Sequence, residues 1–223
     1  MGLASRCIPG LCAALFSVFF VASCLQELPC RAEDASCDAV ALLTLQLNRD
    51  VSSTGSGSTP PLQVYLFSSN ALHGGSWGDR GASSFACSSE RTTYKPGLPC
   101  TNDLSFLSYP GDPMGLATTN HGVPAGVPVV SETDVVVDSS WAALFDGSIT
   151  TSFDAAGITS IGTTYWTGTA ADGSTAGDHC NGWTDASLSF NGAAGLRTST
   201  DPTWVASSTP TCNGTRHYIC ICW

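Results

Sequence analysis

The sequence predicts an α+β fold: two helices, short strands and long loops, held together by disulfides. Three observations carry that prediction. Lys, Arg, Asp and Glu make up only 12% of 223 residues while Gly alone counts 23, a balance that favours strands and loops over helical bundles. Eleven cysteines are present, and the one tight pair, Cys220-Ile221-Cys222, has a single spacer, whereas metal sites repeat pairs with two to four residues between. Disulfides in an oxidising compartment fit better. The final stretch, Tyr218-Ile219-Cys220-Ile221-Cys222-Trp223, is apolar on both faces once side chains alternate with period two, the pattern of a strand covered on each side.

The N-terminus is consistent with export. A short basic start through Arg6 precedes an apolar run over 11–22, a length typical of signal peptides and too short for a stable membrane span. The run ends Val21-Ala22-Ser23-Cys24, which resembles a bacterial lipobox with Cys24 as the lipidated first residue. Ordinary cleavage there, or after Ala32, is the alternative. Residues 1–24 are thus read as a signal peptide and 25–61 as a tether. The tether carries Cys30 and Cys37, a short helical pattern over 38–47, and a linker by composition, Ser52 to Pro61. The folded head is placed at 62–223.

Within the head, Leu62 to Phe67 reads as a strand, being rich in branched and aromatic residues. Gly81 to Arg91 reads as a helix, with Ala82, Phe85 and Ala86 on one face beside Cys87. A second helix is expected where Ser139 or Ser140 can cap, Trp141, Leu144 and Phe145 share a face, and Gly147 can end it. Residues 92–127 hold five of the twelve prolines and are expected to be long loops. Beyond Gly147, well-spaced Trp166, Trp183 and Trp204 suggest short strands joined by loops. Asn213-Gly214 reads as a two-residue hairpin corner, and Asn213-Gly214-Thr215 is also a glycosylation sequon in a eukaryotic secretory host.

An ordered set of these segments resembles the endostatin-like domains of C-type-lectin-like fold. The set runs Gly78-Asp79-Arg80-Gly81-Ala82 with Phe85-Ala86-Cys87, Val127 to Val130, Ser140 to Ser148, Ser152-Phe153-Asp154, Trp166-Thr167-Gly168 with Asp172-Gly173, Cys180 with Trp183, and Cys212 with Cys220. With no Gly-X-Y repeat before it, the chain looks closer to a bacterial exported lipoprotein of this character than to a collagen. The resemblance implies two helices packed on short antiparallel sheets with long loops. It also implies nested bridges, Cys87–Cys220 and Cys180–Cys212. Cys222 falls outside the family pattern, and Cys100 is its available partner. Cys30–Cys37 would be a local bridge outside the head.

Few segments of the chain carry a pattern that chemistry needs. The net charge of −10 and only eight Lys and Arg argue against nucleic acid and heparin-like polyanions, which need clustered cations. Lectin calcium motifs are missing: the stretch before Cys212 has no carboxylate, and Trp183-Thr184-Asp185 follows Cys180 instead of preceding the third cysteine of the pattern. Calcium wants six to eight oxygens. Asp172 and Asp178 bracket a loop that could hold only a weak ion. The zinc-binding histidines of several endostatins have no match, Gln63 standing at the strand position. His73, His121, His179 and His217 are scattered. No nucleophile elbow appears; Thr54 to Ser58 is the nearest string and lies in the linker. Arg80 is expected to brace the start of its helix through Asp79, worth under about 1 kcal/mol as an exposed pair.

The expectation is a non-enzymatic, metal-free and cofactor-free binding module, secreted or at the cell surface. Any membrane tie would be through a lipid on Cys24, on an outer membrane in a bacterial host. Its ligand would be an extracellular protein or glycan, met by loops 92–127 and 168–182, where such scaffolds vary. Exposed Tyr94 or Tyr109 with Trp77 would favour a glycan. A structural coat or matrix protein is the alternative, and an enzyme on the same scaffold a third reading.

Overall fold

A computed structural model describes residues 63–158 and 160–223. The signal peptide with Cys24, the Cys30–Cys37 pair, the 38–47 helix and the 52–61 linker lie outside the described residues.

The described residues form a mixed α+β fold around a curled sheet, with few helices and three disulfides. Its strands are β1 (Val64–Ser68), β2 (Asp103–Ser105), β3 (Val129–Ser131), β4 (Val136–Asp138), β5 (Thr164–Trp166), β6 (Ala194–Leu196) and β7 (His217–Cys222). They form one sheet in the order β4-β3-β1-β7-β5-β6, with β2 also paired to β7. The terminal strand is therefore central. β1 runs antiparallel along it from Ile219 to Cys222, β2 covers Cys220 to Cys222 on the other edge, and β5 takes His217 and Tyr218.

The sheet separates two apolar clusters. Ile219, Ile221 and Trp223 join one with Phe106, Trp141, Phe153 and Trp204. Tyr218, Cys220 and Cys222 join the other with Phe67, Trp77, Trp166 and Trp183. Burial on both faces is what the alternating apolar pattern demands.

The expectation of antiparallel sheets needs correction. β1 pairs β3 in parallel, and β5 pairs β7 in parallel. The chain between β1 and β3 is long enough to contain the main helix, so it can return to the same end, as a parallel pair requires.

That helix, α1, spans Arg80–Tyr94. Asp79 caps it: its Oδ1 accepts from the Ala82 N–H at 2.8 Å, filling one of the orphan donors of the first turn. Pro96 disfavours helical geometry at Lys95, and the helix stops there. The buried face is not the predicted one. Ser83, Cys87 and Glu90 are buried, while Phe85 is 74% exposed. Each buried residue has a specific anchor. The Ser83 hydroxyl meets the Ser105 hydroxyl at 2.7 Å, Cys87 is bridged, and Glu90 accepts from the Asn70 and Ala71 N–H groups at 3.0 and 3.1 Å.

The second expected helix is reduced to a 3-10 turn, Ala143–Phe145. Ser140 Oγ accepts from the Ala143 N–H at 3.1 Å, and Gly147 ends the segment at φ 107°. Trp141 and Leu144 are both buried; three apart, they fall in line on a 3-10 turn. The 92–127 region is less irregular than expected, since it contains β2, a 3-10 turn at Met114–Leu116 and a short helix, α2, at Ala117–His121. The turn near the C-terminus closes from Thr211 to Gly214, so Cys212 and Asn213 form its corner, not Asn213-Gly214. Cys212 is held in that corner by its bridge to Cys180 and by its N–H, which donates to Phe190 O at 2.9 Å.

Candidate functional site

Three disulfides fasten the head. Cys87–Cys220 joins α1 to β7 across a sequence separation of 133, Cys100–Cys222 joins the loop after α1 to β7 across 122, and Cys180–Cys212 spans 32. Gly75 passes over the third bridge so closely that an added Cβ would stand 2.5 Å from Cys180 Sγ. The first two hold β7, α1 and the loop after it in fixed relation, while the third ties the 180–183 turn to the loop before β7.

Two grooves open on this held surface, and Tyr94 lines both. At the end of α1 Tyr94 is 54% exposed. The first groove, of about 540 Å³, runs between the 95–99 loop and the 132–134 loop, and is lined by Tyr65, Tyr94, Lys95, Pro96 to Pro99, Glu132 and Asp134. Lys95 Nζ donates to Glu132 Oε1 at 2.9 Å. Glu132 Oε2 is buried and accepts no hydrogen bond among the described residues. Gln63 donates to the Tyr65 hydroxyl and to Asp134 Oδ1, the latter at 3.3 Å. An exposed ring thus stands beside carboxylate acceptors.

The second groove, of about 420 Å³, lies between α1 and the chain around His73, and is lined by His73, Phe85, Ala86, Ser89, Glu90, Thr93, Tyr94 and Tyr218. Its base is aromatic. His73 stacks on Trp77 with ring centroids 3.9 Å apart, and Trp77 meets Tyr218 edge-on at 4.3 Å. Burial pushes the His73 imidazole below its usual 6.5, outweighing the Glu90 charge, which acts the other way. Burial, then the neighbouring charge of Glu90, push the Tyr218 phenol up. Its hydroxyl has no hydrogen-bond partner among the described residues.

The remaining sequence candidates scatter. Trp77 and Tyr109 are 8% and 6% exposed, so neither forms an exposed stacking pair with Tyr94; both are used inside the head. His179 Nδ1 accepts from the Gly182 N–H at 2.8 Å, and His217 Nδ1 lies 2.9 Å from Ser69 O. Asp172 Oδ1 takes the Ser174 N–H and hydroxyl. Among the described residues no group of three or more His, Cys, Asp or Glu is placed to hold a metal ion. Asn213 is exposed. Arg80 does not pair with Asp79, which is occupied with capping. Its Nε donates to Asp112 Oδ2 at 2.7 Å, and its other nitrogens donate to Ser105 O and Asp112 O, both at 2.8 Å.

Sequence reasoning missed Glu90, Tyr218 and Glu132. One signal was present for Glu90. A bridged Cys87 must face inward, and the residue three further along a helix shares that face.

The class these features define is a disulfide-bonded α+β domain. Its bridges point to an oxidising, extracellular setting, and no described helix is long and apolar enough to cross a membrane. Residues 130–200 are similar to a family described as a protein of unknown function (DUF1554). That stretch runs from β3 past β6 and includes Glu132, Asp134 and Cys180, leaving α1 and β7 outside. No curated protein matches the chain.

Proposed function

We propose that the chain is an exported, C-type-lectin-like binding module that takes glycan hydroxyls without metal in the groove between Tyr94 and Glu132. The order of its endostatin-like segments and its nested bridges, with the terminal strand at the centre of the sheet, support the fold assignment. One observation carries the functional reading. A carboxylate oxygen of Glu132 has no donor among the described residues, and the exposed Tyr94 ring stands on the same groove. A sugar offers an apolar ring face for the tyrosine and hydroxyl donors for the groove's carboxylates, the exposed Asp134 at its rim and Glu132 behind it.

The test is a glycan array with the secreted protein, read with and without chelator. A bound glycan unaffected by chelator, weakened about tenfold by Tyr94→Ala as loss of a stacked ring implies, and weakened by Glu132→Gln, supports the reading. An array without binding, as a coat protein would give, or binding indifferent to both substitutions, overturns it.

A further inference from the structure

We propose that the second groove, between α1 and His73, receives the ammonium group of a lysine side chain on a protein partner. This groove shares Tyr94 with the glycan groove but rests on Glu90, Phe85 and Tyr218, none of which lines the other.

The first observation is charge. Glu90 is 8% exposed, and its two oxygens are held by the Asn70 and Ala71 N–H groups. It makes no ion pair among the described residues. A buried carboxylate answered only by backbone dipoles retains an uncancelled field, because charges removed from water need an opposite charge to offset the loss. The groove lining contains no Lys or Arg. His73, its pKa lowered by burial, adds little positive charge at neutral pH.

The second observation is the wall. Along the α1 wall Phe85 is 74% exposed and Tyr94 54% exposed, and His73 and Tyr218 also line the groove. Aromatic faces attract a cation through their negative quadrupole, most strongly where water is excluded. They also suit the four-carbon stem of a lysine, which buries its methylenes and keeps its head for polar contacts.

The third observation is the Tyr218 hydroxyl. Tyr218 is fully buried, lines the groove, and its hydroxyl has no partner among the described residues. A polar group left so costs free energy until something bonds it. An ammonium brings three donors, enough for Tyr218 Oη and a free lone pair of Glu90. With a net charge of −10 on the chain, a basic partner is also drawn by the longer-range field.

Titration of the isotope-labelled exported protein with Nα-acetyl-lysine amide, followed by amide NMR, tests the assignment. Nα-acetyl-norleucine amide, which keeps the four-carbon stem and lacks the ammonium group, is the control. The expected result is saturable shifts at His73, Ser89 and Tyr218 with the lysine probe and none with the norleucine probe. Glu90→Gln should weaken binding by about tenfold or more, the scale for losing a charge partner. Because Glu90 also supports the 70–71 backbone, Phe85→Ala and Tyr218→Phe serve as variants expected to fold, and both should weaken binding. Glu132→Gln should leave lysine binding unchanged, so failure here and failure of the glycan reading are separable. Equal shifts with the norleucine probe, no shifts with either, or binding indifferent to Glu90→Gln, Phe85→Ala and Tyr218→Phe overturns the proposal.

Discussion

Arg80 and Asp112, 32 residues apart in sequence, are locked together: the guanidinium Nε donates to Asp112 Oδ2 at 2.7 Å while a second nitrogen holds the Asp112 carbonyl. The side chains are only 14% and 22% exposed. Asn120 and His121 bond the same carboxylate at 2.8 and 2.9 Å. One carboxylate thus ties the first turn of α1 to the end of α2, and the 3-10 turn beginning at Met114 lies between.

Removing that carboxylate leaves Arg80 short of its charge partner in a site shielded from water. Asp112→Ala should therefore lower unfolding free energy by about 3 kcal/mol, the scale for breaking one partner of a buried pair. Asp79→Ala, which removes only a cap, should cost about 1 kcal/mol. Urea denaturation of the two variants gives the ratio; equal losses would mean the Arg80–Asp112 pair behaves as a surface pair.

The same carboxylate sets a pH dependence. Burial alone would push Asp112 up, but bonds from Asn120, Arg80 and His121 together hold it below its usual 3.8. A folded pKa below the unfolded one means stability that is present above the unfolded value and lost as pH falls through the folded one. The gap in stability between wild type and Asp112→Asn should be constant from neutral pH down to about 5 and shrink below about 4. Chemical denaturation across that range measures it.

Several elements were legible in the sequence because their causes are local. The alternation in Ile219 to Trp223 is enough to place β7 between two apolar layers, and Pro96 limits α1 on its far side. What escaped was set by distant partners. Phe85 looked like the core face of α1 because hydrophobicity is the usual cause of burial, yet beside the expected Cys87–Cys220 bridge the helix is turned by two polar anchors, Ser83 to Ser105 and Glu90 to the 70–71 backbone. Arg80 has a carboxylate beside it in sequence but finds another 32 residues on. The grooves are built from α1, the 132–134 loop and β7, and nothing in any one of those segments announces the others.

The rotation of α1 has a direct consequence. Phe85→Ser should change stability by no more than about 0.5 kcal/mol, as for other exposed sites. Ser83→Ala should cost about 1–3 kcal/mol, because it strips the Tyr109 and Ser105 hydroxyls of a buried partner. A helix buried on its Phe85 face would give the reverse order, and thermal denaturation of the two variants distinguishes the cases.

The two long bridges should prove strongly non-additive. Cys87–Cys220 and Cys100–Cys222 have sequence separations of 133 and 122, so on the chain-entropy model either one alone is worth about 5 kcal/mol. They cross-link nearly the same loop, however. With one intact, the other closes only the short circuit made by the Cys87–Cys100 and Cys220–Cys222 segments, about 15 residues and about 3 kcal/mol. Replacing either pair with alanines should cost about 3 kcal/mol, while replacing both should cost about 8, more than twice the single loss. Equilibrium unfolding of the two double and one quadruple replacements decides the matter. Simple additivity would mean that the unfolded chain does not feel the bridges as loops, and that their contribution lies in native packing around Cys220 and Cys222.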